Sequence, residues 1–318
     1  MTAALVAAAV VLLLAAVLLV LLAETIALAP LRADGAVLPR GGALLAVARR
    51  VDALVADVSG FVTDGELQVV AVEPVEPDHD RNLRWFAGAL QHQGEGPVAR
   101  AIARLSSSGR VTDVRRVPGA GIEGAVDRHP VRVGDPRWIG VTAPPVATGG
   151  HTVAVEVDGR TLGCITVAER VRPEAAGALV RLADAGLTTR LVSAAGELEA
   201  KRIASETSGE VTAADDADGW RAVVTDLRAT GRTVACVAGP GTWGAAPGEA
   251  ALWLSTGEGA RPPTAGGPVV RLPDLAVQRV ERFLAALRAL PARVRALRVA
   301  GLALAVVGLL LAGAGVLV

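Results

Sequence analysis

The chain has 318 residues, of which 52% are hydrophobic, and its formal net charge at pH 7 is zero. The length indicates about two domains, and the zero net charge implies no nucleic-acid partner. Lysine occurs once, at Lys201, against 31 arginines, which indicates a high-GC genome. Because arginine cannot simply replace a catalytic lysine, this bias restricts the chemistry open to the chain.

Two uncharged apolar runs lie at the ends of the chain. Residues 3–23 would span about 31 Å as a helix at 1.5 Å per residue, and residues 299–318 form a run of similar length. Each run predicts one membrane crossing. A cleaved signal peptide is the alternative interpretation of the first run, although that run lacks a basic segment before it and is longer than usual.

Arginines flank both apolar runs on the side of the long intervening segment. The positive-inside rule therefore predicts a two-pass protein of the inner or plasma membrane whose soluble domains face the cytoplasm. The flanking residues are Arg32, Arg40, Arg49, Arg50, Arg288, Arg293, Arg295 and Arg298.

The segment after the first apolar run predicts a helix, two strands and two further helices in turn. The last of these helices begins at Pro97, a residue that suits the first turn of a helix. Short β pieces separated by Gly and Pro follow, and a linker ends the segment. The predicted spans are 43–48, 51–55, 68–75, 82–90, 97–105, 110–141 and 143–150.

From His151 onward, strands and helices alternate. A hairpin about Asp158-Gly159 comes first, and the alternation after it predicts a parallel sheet with right-handed crossovers. An amphipathic helix over 275–290 is predicted to end before Pro291, which separates it from the last apolar run. The other predicted helices are 173–185, 197–207 and 220–230, and the predicted strands are 188–192 and 233–237.

The two cysteines and the single lysine are predicted to have structural roles. Cys164 and Cys236 lie far apart in apolar sequence, so we expect buried free thiols in a reduced compartment, and neither a disulfide nor a metal pair. Lys201 is expected on an exposed helix face, paired with Glu197 four residues earlier.

The stretch ADVSGFVTDG places Asp57 at the end of a buried strand, directly before a glycine turn. α/β proteins use the carboxyl ends of their strands for ligand and catalytic groups. Asp57 is therefore a candidate nucleophile. Ser59, two residues later, is a candidate catalytic hydroxyl, but a turn or capping role suits it better.

Several segments, in this order, carry a family resemblance: GAVLPRGGALLAVARRVDALVADVSG, GEGPVARAIARL, VPGAGIEGAVDRHPVRVGDPRWI and VDGRTLGCITVAERVRPEAAGALVRLADAGL. Together they resemble the catalytic region of the heavy-metal (CPx-type) P-type ATPases. The resemblance implies an α/β fold: a HAD-like Rossmannoid phosphorylation domain with an inserted α+β nucleotide-binding domain, flanked by two transmembrane helices.

The resemblance also implies domain boundaries. The HAD-like domain would occupy 30–65 and 151–273, with the nucleotide-binding insert at 66–150. An amphipathic connecting helix at 274–296 would join the domain to the second membrane helix. The membrane helices would occupy 1–29 and 297–318.

Most groups that would activate Asp57 differ from the family pattern. The motif D-K-T-G-T-L-T reads Asp57-Val58-Ser59-Gly60-Phe61-Val62-Thr63 here, so Val58 replaces its lysine. By the same resemblance, Ala195 replaces the aspartate of T-G-D-N, Trp220 replaces an essential lysine, and the stretch with Gly239 and Trp243 replaces G-D-G-x-N-D.

These replacements bear on catalysis because phosphoryl transfer to a carboxylate depends on Mg²⁺ and on a cation near the transferred oxygens. Each such stabilising group is typically worth about 2–4 kcal/mol. We therefore expect Asp57 to be a vestigial nucleophile, and a phosphorylatable Asp57 is the alternative. No resident metal site is predicted.

The nucleotide-binding positions are partly kept. In the resemblance, Glu95 keeps the family's glutamate, Gly119 and Gly121 would let the backbone approach adenine or ribose, and Asp135 replaces an asparagine; Gly96 replaces the histidine that stacks on adenine. The pattern G-x-G-x-x-G over 119–124 continues as β sequence, which argues against a Rossmann turn. We expect retained loop geometry without a ligand, and binding of ATP with Mg²⁺ as the alternative.

Two apolar helices cannot enclose an ion pathway alone, and the Cys-Pro-Cys of the family's membrane domain is absent. Gly301 and Ala305 predict close packing against an integral membrane partner. The leading hypothesis is a degenerate P-type ATPase-like protein that acts as a scaffold or as an accessory or regulatory subunit. The alternatives are an ATP-hydrolysing transporter fragment or weak phosphohydrolase that uses Asp57, and a nucleotide sensor.

Overall fold

The computed structural model describes residues 2–39, 42–106, 109–142, 149–214, 216–237, 250–256 and 266–316. Two compact units make up the chain. The first comprises residues 1–54, 181–188 and 224–318, and the second comprises residues 55–180 and 189–223.

The helices and strands follow one another largely as predicted. The helices are α1 (Thr2–Ala33), α2 (Ala43–Val47), α3 (Asp80–Gln91), α4 (Gly96–Ala103), α5 (Pro136–Ile139), α6 (Ala175–Asp184), α7 (Glu197–Thr207), α8 (Ala217–Ala229) and α9 (Val277–Val316). The strands are β1 (Ala53–Asp57), β2 (Thr63–Pro74), β3 (Val111–Val117), β4 (Gly121–Val126), β5 (His129–Gly134), β6 (His151–Val157), β7 (Arg160–Val171), β8 (Thr188–Ser193), β9 (Glu210–Ala213), β10 (Val234–Val237), β11 (Leu252–Ser255) and β12 (Val269–Arg271).

An antiparallel sheet in the order β2-β7-β6-β5-β4-β3 lies in the second unit. Helix α3 covers it because its apolar residues recur at helical spacing, at Leu83, Phe86 and Leu90. These side chains share one core with Val133 and Ile165, and all five are at most 9% exposed. Alternation along the strands directs these valine and isoleucine side chains to the same face.

The hairpin about Asp158-Gly159 is confirmed, since β6 and β7 pair antiparallel. Its place differs from the sequence-based expectation. Strand β6 also pairs with β5, and β7 pairs with β2, so the hairpin completes the antiparallel sheet and does not begin the parallel one. The predicted boundary at residue 150 therefore falls between two neighbouring strands. A turn signal in the sequence predicts the hairpin, but it does not predict which strands pair with the hairpin on either side.

The strands outside this sheet pair in parallel. In the first unit, β11 pairs in parallel with both β10 and β12, and in the second unit β8 pairs in parallel with β9. The start of β1 follows the same pattern, because Asp52 accepts from the Thr188 N–H (3.0 Å) and donates its own N–H to Thr233 (3.1 Å). The predicted parallel α/β fold is confirmed.

The first unit also contains two long apolar helices, α1 and α9, which pack against each other. Both are long and apolar enough to cross a membrane. On α1, Ala9, Ala16 and Ala23 recur every seven residues and are at most 2% exposed. Gly301 of α9 faces this row, because a Cβ added there would lie 3.1 Å from Ala16 O and 2.7 Å from Val20 Cγ2. The small-residue face predicted for a partner is thus occupied by the chain's own helix.

The predicted break at Pro291 is wrong. Helix α9 runs from Val277 to Val316 with Pro291 inside it. A proline in a helix interior removes one backbone hydrogen bond, but packing against neighbouring structure can offset that loss. Leu287, Leu290 and Val294 around it are at most 3% exposed, which provides such packing.

The structural roles predicted for the cysteines and the lysine are confirmed. Cys164 and Cys236 are both free and buried, and burial raises the pKa of each thiol. Lys201 Nζ lies 3.9 Å from Glu197 Oε1, with both side chains at least 70% exposed. Such a pair contributes little to stability.

Candidate functional site

Asp57 lies at the carboxyl end of β1, whose first four residues are buried while Asp57 itself is half-buried. The Ser59 N–H donates to Asp57 Oδ1 (3.2 Å). The chain then turns at Gly60, where φ is +72°, a value that favours glycine. The N–H groups of Phe61 and Val62 both point back to Val58 O, at 3.3 and 3.2 Å. The predicted strand end and tight turn are present.

Glu169, near the end of β7, holds this turn by accepting hydrogen bonds from the hydroxyl groups of Ser59 and Thr63. Ser59 Oγ donates to Glu169 Oε1 (2.7 Å), and Thr63 Oγ1 donates to Glu169 Oε2. Thr63 Oγ1 also accepts from the Gly60 N–H (3.2 Å). Ser59 therefore contributes to the turn, the role that its sequence context favoured. Glu169 was not predicted from the sequence, because it lies 110 residues from Ser59; its only signal is a charge directly after the buried part of β7.

A cleft of about 470 Å³ opens beside Asp57. Three carboxylates line it, from Asp57, Glu169 and Glu199, and His151 joins them. No lysine or arginine is among the described residues that line it. The other walls are mainly apolar or small: Val58, Leu67, Val98, Gly150, Val167, Ala168, Ala194 and Ala195, with the hydroxyls of Ser59 and Ser193. The described lining of the cleft thus supplies carboxylates and no lysine or arginine.

Arg202, on α7 beside the cleft, is engaged by carboxylates. Arg202 donates through Nε to Glu199 Oε2 (2.9 Å) and through Nη1 to Glu206 (2.7 Å). The hydrogen bond with Glu199 is the main reason that the pKa of Arg202 is raised, against an opposing effect of burial. Arg202 also donates to the backbone oxygen of Glu169 (2.8 Å). The positive charge of Arg202 therefore neutralises Glu199, and its hydrogen bond to Glu169 O connects α7 to β7.

Trp220, at the position of the family's second lysine, is 2% exposed. Its Nε1 is buried and has no hydrogen-bond acceptor among the residues that the structure describes. An indole at this place fills the core and supplies no positive charge. Gly239 and Trp243, the remaining replaced positions, lie outside the described residues.

The described residues of the Asp57 cleft bring together no complete set of Mg²⁺ ligands. Mg²⁺ prefers carboxylate and water oxygens in octahedral geometry, and no group of three His, Cys, Asp or Glu residues suited to a metal occurs in the described ranges. Ser193, which begins the replaced T-G-D-N turn, is buried and accepts from the Ala195 N–H (3.4 Å). Ala195 itself presents only a methyl group.

A second cleft of about 440 Å³ brings together all four predicted nucleotide positions, Glu95, Gly119, Gly121 and Asp135. Arg116, which the sequence analysis missed, lines the same cleft. Arg116 Nη1 lies 2.5 Å from Glu95 Oε1, and Arg116 Nη2 donates to Gln93 O (2.8 Å). The cleft therefore has one cation among its described residues, held at its edge by a carboxylate.

Two of these four positions also have clear structural roles. A Cβ at Gly121 would lie 2.3 Å from Val133 O, so glycine is needed for the close approach of β4 to β5. Asp135 Oδ1 accepts from the Arg137 N–H (2.7 Å) and caps the start of α5. At Gly119, where φ is +72°, a Cβ would meet no atom within 4 Å.

The strand that ends in an aspartate turn, the parallel strands and the inserted antiparallel sheet match the fold of the HAD-like phosphorylation and nucleotide-binding domains of P-type ATPases. No family model matches the chain. The copper-exporting P-type ATPase of Mycobacterium tuberculosis is 34% identical over 232 residues, 69% of this chain and 30% of that protein. The cation-transporting P-type ATPase B of the same species is 31% identical over 239 residues, 69% of this chain and 32% of that protein.

Solved structures agree on the fold. A zinc-transporting PIB-type ATPase matches 88% of this chain and 48% of its own, with a TM-score of 0.75 and 24% identity. The catalytic domain of the CPx-ATPase CopB-B matches 80% of this chain and 96% of its own, with a TM-score of 0.60 and 16% identity.

The homologues of this chain are thus the copper-exporting and cation-transporting P-type ATPases of the heavy-metal type. The match covers less than a third of the length of these relatives.

Proposed function

We propose that this chain is a catalytically degenerate relative of the heavy-metal P-type ATPases that transports no ion itself. It would act as a scaffold, or as an accessory or regulatory subunit, for an integral membrane partner. Helices α1 and α9 would cross the inner or plasma membrane, with the soluble domains in the cytoplasm as the flanking arginines indicate. The observation that carries the proposal is the lining of the cleft at Asp57. The described residues that line it include three carboxylates and no arginine or lysine.

The physical reason is electrostatic. Transfer of a phosphoryl group to Asp57 would bring an anion toward a carboxylate that already has two carboxylate neighbours. Cations normally offset this repulsion, and Arg202, which lies beside the cleft, is paired with Glu199. Loss of several stabilising groups of about 2–4 kcal/mol each should lower the rate by orders of magnitude.

Incubation of the full chain with radiolabelled ATP and Mg²⁺ tests this proposal. We expect no acid-stable, hydroxylamine-sensitive label, because the cleft does not stabilise the transferred group. The control is Asp57→Asn, which should give the same background. Label that is present in the native chain and absent from Asp57→Asn would overturn the proposal and establish the alternative, a phosphoryl-transferring fragment or phosphohydrolase.

A second candidate function is nucleotide binding without hydrolysis, and the gathering of Glu95, Gly119, Gly121 and Asp135 in one cleft favours it. We expect several millimolar ATP to raise the Tm, since a ligand that binds only the folded state stabilises it. Arg116→Gln should reduce the shift because it removes the guanidinium from the cleft. Arg115→Gln is the matched control, because Arg115 pairs with Glu123 outside the cleft. A Tm that ATP leaves unchanged would exclude this function.

A further inference from the structure

Five exposed arginines lie close to the point where the long helices become apolar. Arg293, Arg295 and Arg298 are on α9 just before its uncharged run. Arg49 and Arg50 follow α2, which contacts α9. We call these five residues the arginine collar.

The packing of α1 against α9 fixes the level of the collar. Gly301 lies against Ala16, and Gly308 lies against Ala9, so the helices are antiparallel. Continuing this register places Glu24, where the uncharged run of α1 ends, level with Arg293. Arg298 Nη2 lies 3.5 Å from Glu24 Oε1, which agrees with this register. The three arginines of α9 therefore surround the edge of the apolar segment.

A hydrogen bond made by Arg288 indicates the level at which Arg49 and Arg50 lie along α9. Its Nη2 donates to Val51 O (2.9 Å), so Arg50 lies next to the level of Arg288. That level is five residues, or about 7.5 Å along a helix, from Arg293. The collar thus extends over about 15 Å along α9, from the level of Arg288 to that of Arg298.

This region has an excess of positive charge. Glu24 pairs with Arg298, and Asp52 is engaged by the Thr233 N–H (2.7 Å) and lies 3.8 Å from Arg232. Arg49, Arg50, Arg293 and Arg295 have no carboxylate partner in the part of the chain that the structure describes. Guanidinium groups match phosphate oxygens in a two-pronged geometry and are weakly hydrated.

We propose that the arginine collar binds the phosphate-bearing headgroups of anionic lipids in the adjoining leaflet. Four unpaired guanidinium groups at the edge of an apolar segment complement such headgroups in both charge and depth. The inference requires that α1 and α9 span a bilayer. It is independent of whether Asp57 can be phosphorylated.

The test compares the full chain in nanodiscs of phosphatidylcholine alone with nanodiscs that contain about one third phosphatidylglycerol, a fraction chosen to give a clear negative surface potential. We expect the anionic lipid to raise the Tm at low salt, and high salt to remove most of the difference. Arg293→Gln with Arg295→Gln should at least halve the difference, because it removes two collar charges and leaves the Arg298–Glu24 pair intact.

The matched control is Arg81→Gln with Arg110→Gln, two exposed arginines of the second unit, which changes the net charge equally. It should keep the full Tm difference. Native mass spectrometry gives a second readout, in which the collar variant should retain fewer phosphatidylglycerol molecules than the control. Equal Tm differences in both variants, or a chain that does not insert into nanodiscs, would overturn the inference.

Discussion

Trp220→Ala is expected to lower the free energy of unfolding by about 3–5 kcal/mol, as is usual when a large aromatic side chain is removed from a core. Trp220 is among the largest fully buried side chains of the molecule and is 2% exposed. Alanine would leave a cavity that its neighbours in the second unit can fill only in part.

The more informative change is Trp220→Lys, which installs the residue type that the family has at this position. We expect a greater loss of stability than with alanine, because a buried ammonium group without a partner is strongly unfavourable. Trp220→Phe should be the mildest change, since it keeps most of the packing and removes an Nε1–H that has no acceptor among the described residues.

Urea denaturation followed by circular dichroism measures these losses in the full chain. The control is Arg221→Ala, because Arg221 is the exposed neighbour of Trp220 on α8 and alanine favours helix. A Trp220→Ala variant as stable as this control would show that the indole does not fill the core. A stable Trp220→Lys variant would show that a lysine could still be accommodated.

Gly301→Leu is expected to loosen the α1–α9 pair and to destabilise it by about 1–3 kcal/mol, the usual effect of overpacking. A Cβ at Gly301 already meets Val20 Cγ2 at 2.7 Å, so a leucine must separate the helices. A cysteine pair at Ala9 and Gly308 reports this, because the two positions face each other across the seam. The yield of the disulfide should fall in the Gly301→Leu background.

Gly313→Leu is the matched control, since a Cβ at Gly313 meets nothing within 4 Å. It adds the same side chain to the same helix and should leave the cross-link unchanged. Equal yields with Gly301→Leu and Gly313→Leu would contradict the close packing of α1 on α9. If the packing is confirmed, the integral membrane partner that we propose would bind the outer faces of the pair, where the exposed residues include Leu14, Leu21 and Leu310.

Local sequence patterns predicted the elements of the fold well. The periodicity of 197–207 gave α7 with its observed limits, and the apolar run before Asp57 gave β1 and its turn. These features depend on neighbours in sequence. The four positions that the family resemblance assigns to nucleotide binding line one cleft.

Contacts between distant segments could not be predicted in the same way. Glu169 binds the Asp57 turn across more than 100 residues, and only the fold brings the two together. Helix α1, which packs against Gly301, is likewise separated from it in sequence by almost the whole length of the chain. At Pro291, the intrinsic preference of proline predicted a break, but burial of the residues around it kept α9 continuous.

The continuity of α9 has a mechanical consequence. A helix of 40 residues is about 60 Å long at 1.5 Å per residue, roughly twice the thickness of the hydrocarbon layer. In the membrane arrangement that we propose, a tilt imposed on its apolar half would also tilt the other half, because the helix is continuous. Pro291 lies between the halves and removes the hydrogen bond to Leu287 O, so α9 should bend most easily there, next to the proposed membrane segment.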